Sequence, residues 1–184
     1  AGIPYYVLGG RGFYEKQEIT DLLNLLRFID NCHNEVALVG ILRSPLFLLS
    51  DESLFWLTYQ GCSLWQGLSQ DEMNNKISQK QKNIVQQAKT VLKRLLLLKG
   101  QLKVSQLLLL ALEQTHYSSF LLTQFMGLQK FANVEKLIGI AKNYEKDEYG
   151  STRDFLNYIE SLIVVAAREG EAQIENETGN TVKL

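Results

Sequence analysis

A chain of 184 residues, 46% hydrophobic and 21% charged, with a net charge of −1, has the composition of a soluble globular protein of one domain, or of one domain with a fragment of another. Two cysteines, Cys32 and Cys62, exclude a multi-bridge disulfide framework; with no C-x-x-C or H-x-x-x-H spacing beside them, they read as structural thiols in a reducing compartment. No apolar run approaches the roughly 18 residues of a membrane span, and no charged leader precedes a signal-like core, so a cytoplasmic location is expected.

The elements follow in chain order. Ile3 to Leu8 is a short β-rich run in which Pro4 is tolerable near a strand start, so one strand is expected. Glycines then turn the chain. From Glu18 onward Ile19, Leu22, Leu23, Leu26 and Ile29 form the stripe of an amphipathic helix that ends near Asp30 and Asn31. A second helix is expected from Glu35 to Leu42, stopped before Pro45, because the residue preceding proline disfavours the α region. Ser50 can cap a third, with Asp51 and Glu52 favourable to its dipole.

After Gly67 the pattern stays helical. Ile77, Ile84, Ala88, Val91, Leu92, Leu95 and Leu96 mark a long helix, Gly100 breaks it, and Val104 to Leu112 forms another. "VEKLIGIAKNYE" and "FLNYIESLIVVAARE" supply two more, separated by a turn around Tyr149 and Gly150. The stretch "GEAQIENETGN" reads as a polar loop or linker, and "TVKL" has strand character without a closing signal. A mainly α fold of six to eight helices is expected, with short strands at both ends.

The small net charge hides a segregation. Between Glu72 and Glu113 no residue is acidic, yet Lys76, Lys80, Lys82, Lys89, Lys93, Arg94, Lys99 and Lys103 all fall there; eleven of the nineteen basic residues are left to face all twenty acidic ones elsewhere. Such a block either attracts nucleic acid or an acidic protein surface, or is a solvated helix face. Lys82, Lys89 and Lys93, spaced i, i+7 and i+11, share one helical face and are expected to project to solvent together, giving weak, sequence-independent DNA binding.

Catalytic motifs are not found. Gly10, Arg11 and Gly12 begin a dinucleotide fingerprint, but Glu15 stands where its third glycine belongs, and no Gly-Lys-Ser or Gly-Lys-Thr of a P-loop occurs. "LFLLSDE" imitates the apolar strand and Asp-Glu of a magnesium site, but without a P-loop, and with Ser50 placed as a cap, it reads as a helix start. His33 and His116 sit alone, so neither metal binding nor nucleophilic catalysis is indicated and both are expected at the surface or in caps. Trp56 and Trp65 are expected to be core or inter-helix anchors, since the basic block contains no aromatic residue for them to interleave with.

Several ordered blocks resemble one family. "GIPYYVLGGRGFYEKQEITDLLNLLRFIDN" resembles the segment after motif IV of UvrD/RecB-type superfamily 1 DNA helicases, where an I-P-Y strand, a Gly-Gly turn, F-[YF]-E and an E-[IV]-x-D-L-L helix follow in that order. "VALVGILRSPLFLLSDESL" resembles the branch formed by the A-subunits of ATP-dependent helicase/nucleases, in which L-R-S-P-L-F-G-L-S-D-E recurs; here Leu48 stands in place of the usual glycine. "HYSSFLLTQFMGLQKFANVEKLIGIAKNYE" and "FLNYIESLIVVAAREGEA" are similar to the same branch, and "GNTVKL" is similar to the strand leading into motif V.

The resemblance implies a helical accessory domain inserted in a RecA-like motor domain. Residues 1–32 would be motor remnant, 33–170 the accessory domain, and 171–184 a linker and returning motor strand. The parent implied is an ATP-dependent DNA helicase, with ATP and magnesium held outside this region, possible exonuclease activity, a role in double-strand-break repair and recombination, and a partner in the form of a second nuclease subunit. The fragment itself would need no cofactor and perform no catalysis. By motif, Gly9 and Gly10 resemble the turn glycines that help hold DNA, and Phe13, Tyr14 and Glu15 the junction residues; Arg11 and Lys16 would meet phosphates there. Alternatively, Phe13 and Tyr14 pack the first helix against the strand. Leu48 in place of glycine should obstruct close backbone approach of a phosphate to the following helix. A stand-alone helical interaction module is the other reading.

Overall fold

A computed structural model describes residues 11–59, 61–70, 74–147 and 150–177. Gly9 and Gly10 and the expected strands at 3–8 and 181–184 lie outside the described residues. The rest is helical: α1 (Arg11–Tyr14), α2 (Gln17–Asp30), α3 (Glu35–Arg43), α4 (Asp51–Thr58), α5 (Leu64–Ser69), α6 (Gln79–Leu98), α7 (Val104–Thr115), α8 (Tyr117–Leu122), α9 (Gly127–Asp147) and α10 (Thr152–Glu177). Among the described residues the only β pairing is an isolated bridge between Lys99 and Leu102.

The mainly α expectation holds, with more helices than periodicity foresaw. α1, α5 and α8 have four, six and six residues, too short to display an i, i+3, i+4, i+7 stripe. At the other end, the backbone of α10 runs through Glu177, into the stretch read from its polarity as linker. Ala, Gln and Glu are good helix formers, so polarity alone misjudged "GEAQIENE".

α2 is the central helix. Ile19, Leu22, Leu23, Leu25, Leu26, Phe28 and Ile29 are all buried, because α3, α6, α9 and α10 pack around it. Two acids on this helix, Glu18 and Asp21, are buried as well. Asp21 Oδ2 accepts from the Tyr117 hydroxyl at 2.7 Å and Oδ1 from Gln17 Nε2 at 2.7 Å, while Glu18 Oε1 accepts from Asn133 Nδ2 at 2.7 Å. These bonds offset the desolvation of both carboxylates and tie α2 to α8 and α9.

Helix starts follow the local sequence. Asn34, Ser50, Ser63 and Ser78 cap α3, α4, α5 and α6 through their own side chains. α7 differs: its Ser105 amide donates to Glu145 Oε1 at 2.7 Å and its hydroxyl to Oε2 at 2.7 Å, so α9 supplies the carboxylate. α5 crosses the end of α4 so closely that a Cβ on Gly67 would run into the Leu57 carbonyl oxygen.

Candidate nucleic-acid interface

The residues singled out by sequence fall in three places. At the first turn, Phe13 and Tyr14 are buried in the core, with ring centroids 5.0 Å apart in an edge arrangement. Lys136 Nζ lies 4.9 Å from the Phe13 ring centroid. Burial, and secondarily Tyr158, raises the Tyr14 phenol above its ordinary pKa. Both aromatics are thus core residues packed against α2 and α10; the strand they were expected to meet lies outside the described residues. Glu15 and Lys16 are exposed beside them, and Lys16 is the N-cap residue of α2.

On α6 the expected trio of solvent-facing lysines is corrected. Lys93 is exposed and Lys82 half-buried, but Lys89 is 7% exposed and donates from Nζ to the Gln70 carbonyl at 3.2 Å. Gln70 is the C-cap of α5, where a carbonyl lacks a helical partner and a cation is favoured by the dipole. The signal was present in the sequence: Lys89 lies on the stripe of Val85, Leu92 and Ala88, all buried. The outward arc of α6 instead carries Lys80, Lys93 and Arg94, all exposed, and Lys76 is exposed just ahead of the helix. Lys99 is engaged by Asp30, which Arg153 also pairs with at 3.0 Å.

The third place is the loop before α4. Ser50 is the expected cap, accepting from Ser53 N at 3.2 Å, so "LFLLSDE" is a helix start. Leu48 has φ of 61°, the left-handed region that glycine adopts without strain. The position holds leucine, but its backbone has the conformation that glycine suits. Sequence reading missed Gln81 of α6, whose Oε1 accepts from Ser50 N at 2.9 Å and whose Nε2 donates to the Leu48 carbonyl at 3.5 Å. Asp51 in turn pairs with Arg43 at 2.7 Å. The start of α4 is thus furnished with protein partners and acidic side chains. Between this loop and α6 runs a groove of about 600 Å³, lined by Phe47, Leu48, Lys80, Gln81, Ile84 and Phe120 among others.

His33 and His116 are both exposed, and His116 stands between α7 and α8 with φ of 53°. Trp65 meets Phe28 edge-on at 5.1 Å and Trp56 packs against the core, as anchors. Among the described residues no three His, Cys, Asp or Glu side chains converge as a metal site, and no helix is long and apolar enough to cross a membrane. What the geometry offers is an acid-free, cationic face on α6.

Comparison with known proteins fixes the context. Residues 1–184 match the UvrD-like helicase C-terminal domain. The chain belongs to this family. It is 27% identical over 187 residues to the ATP-dependent helicase/nuclease A-subunit of Thermoanaerobacter pseudethanolicus, covering 100% of this chain and 15% of that protein. The protein of the same name from Clostridium novyi is 28% identical over 192 residues, covering 99% of this chain and 15% of its own length. A third, from Lactobacillus johnsonii, is 28% identical over 165 residues, covering 88% and 13% respectively. This UvrD-like C-terminal region thus spans about 15% of the length of the first two relatives.

Proposed function

We propose that this chain is the helical accessory part of an ATP-dependent DNA helicase of the helicase/nuclease type, where it steers duplex DNA or regulates the motor and performs no catalysis by itself. Its insertion in a RecA-like motor domain, ATP and magnesium bound elsewhere in that protein, a role in break repair, a cytoplasmic location and a second nuclease subunit belong to the same proposal. The observation that carries it is the match of the whole chain to helicase/nuclease A-subunits. The outward arc of Lys80, Lys93 and Arg94 supports a DNA-facing role, since α6 carries no acidic residue to oppose a phosphate.

Each neutralised phosphate contributes about −0.9 to the slope of log affinity against log salt, so three contacts give a slope of about −3 and little binding at physiological salt. Fluorescence anisotropy with a labelled duplex at low salt tests this. Substituting Lys80, Lys93 and Arg94 by glutamate should abolish binding with helicity unchanged. Undiminished binding by that variant would falsify the α6 assignment and turn attention to Arg11, Lys16 and the Gly9–Gly10 turn.

A further inference from the structure

α10 changes character part-way along its length. From Thr152 to Ser161 it is amphipathic: Thr152, Phe155, Leu156 and Ile159 are buried, while Arg153, Asp154, Asn157, Glu160 and Ser161 face solvent. The next six residues, "LIVVAA" from Leu162 to Ala167, are all apolar. Leu162 and Ile163 continue the inner stripe and pack against the core, but Val164 and Val165 are 50% and 49% exposed. At about 100° per residue, Val164 points directly away from Phe155 and continues the row that Glu160 and Asn157 occupy one and two turns earlier. A helix that is apolar all round is one that neighbours cover on every side, and the described residues cover this one on a single side.

We infer that the Val164–Val165 face of α10 is an interface, and that its occupant is an apolar, uncharged surface of the longer polypeptide to which this region belongs. The inference rests on the proposed helicase/nuclease context. The chain spans 15% of the two A-subunits it aligns with from end to end, so a protein of that kind keeps most of its polypeptide outside this region, and α10 is the last helix among the described residues. The patch also has the build of an interface: two half-exposed valines flanked by Glu160, Ser161 and Asn157, an apolar centre with a polar rim.

Hydrogen exchange of the amides at 162–166 tests the assignment, read in the 184-residue chain and in the longer polypeptide expressed from the same gene. Covering the valine face should slow exchange in the longer polypeptide by about tenfold or more, and Val164→Glu with Val165→Glu should return it to the rate seen in the 184-residue chain. Equal rates in the two proteins overturn the proposal, as does a reading frame that ends at Leu184. Sedimentation of the 184-residue chain covers the rival occupants. A dimer abolished by the same double substitution, with no added protection in the longer polypeptide, assigns the face to a second copy. Protection already complete in the 184-residue chain and lost on deletion of residues 1–10 assigns it to that segment. Either result overturns the inference. None of these readouts involves DNA, so the interface and the DNA-facing reading of α6 fail separately.

Discussion

The Tyr117 hydroxyl donates a 2.7 Å hydrogen bond to Asp21 across 96 positions of sequence, inside the core. Phenylalanine at 117 keeps the ring and deletes the donor, leaving a buried carboxylate oxygen short of a partner. Tyr117→Phe should lower stability by about 1–3 kcal/mol, measured by urea unfolding. A loss below the error of that measurement would mean water or another donor reaches Asp21.

Burial raises the pKa of Asp21, opposed by the bonds from Tyr117 and Gln17 and reinforced slightly by Glu18. Folding therefore favours the neutral acid. That contribution is full below the unfolded carboxylate's pKa and is lost as pH climbs through the raised folded value. Asp21→Asn should remove this decline, so the stability difference between variant and parent should move in the variant's favour as pH rises through that window. Tyr117 is raised as well, chiefly by burial and then by Asp21; its contribution is present below the ordinary tyrosine pKa and fades at alkaline pH.

Leu48 sits at φ 61° with its side chain 50% exposed. A non-glycine residue in the left-handed region costs about 1–2 kcal/mol, and little burial is at stake here. Leu48→Gly should stabilise the chain by about 1 kcal/mol after its greater unfolded-state freedom is counted, while Leu48→Ile should destabilise it. Thermal melts of the two variants that move in the same direction would contradict this.

Lys89 and Lys93 lie one turn apart on α6 with opposite environments. Lys89→Glu places an anion against the Gln70 carbonyl and should cost about 3 kcal/mol or more. Lys93→Glu should change stability by less than about 0.5 kcal/mol while weakening low-salt DNA binding. Denaturant midpoints and anisotropy on the same two samples separate scaffold from surface.

Local order was legible wherever it rests on neighbours in sequence. The stripe of Ile19 to Ile29, the stop before Pro45, the Ser50 cap and the break at Gly100 follow from spacing, proline geometry and capping chemistry, and each is present. What escaped depends on partners distant in sequence. Nothing near Asp21 announces Tyr117, nothing near Lys89 announces the Gln70 carbonyl, and Gln81 reaches back 31 positions to Ser50. The E-[IV]-x-D-L-L motif was visible as a string, but Glu18 and Asp21 act as core anchors only once α8 and α9 have closed over them. On α6 the expected exposure of Lys93 is present, whereas the equally exposed Arg94 and Lys80 were passed over for Lys89, a lysine that the fold uses internally.

Glu145 gives the start of α7 a dependence that α4, α5 and α6 lack, for those three begin on serines of their own. The first turn of α7 completes its amide bonding only when α9, forty positions later, has docked. Assembly order is thereby constrained: α6 can nucleate locally, but α7 and α9 should gain and lose protection as one cooperative unit. In native-state hydrogen exchange, Glu145→Gln should release the amides of α7 and α9 together and leave those of α6 at the parent rate.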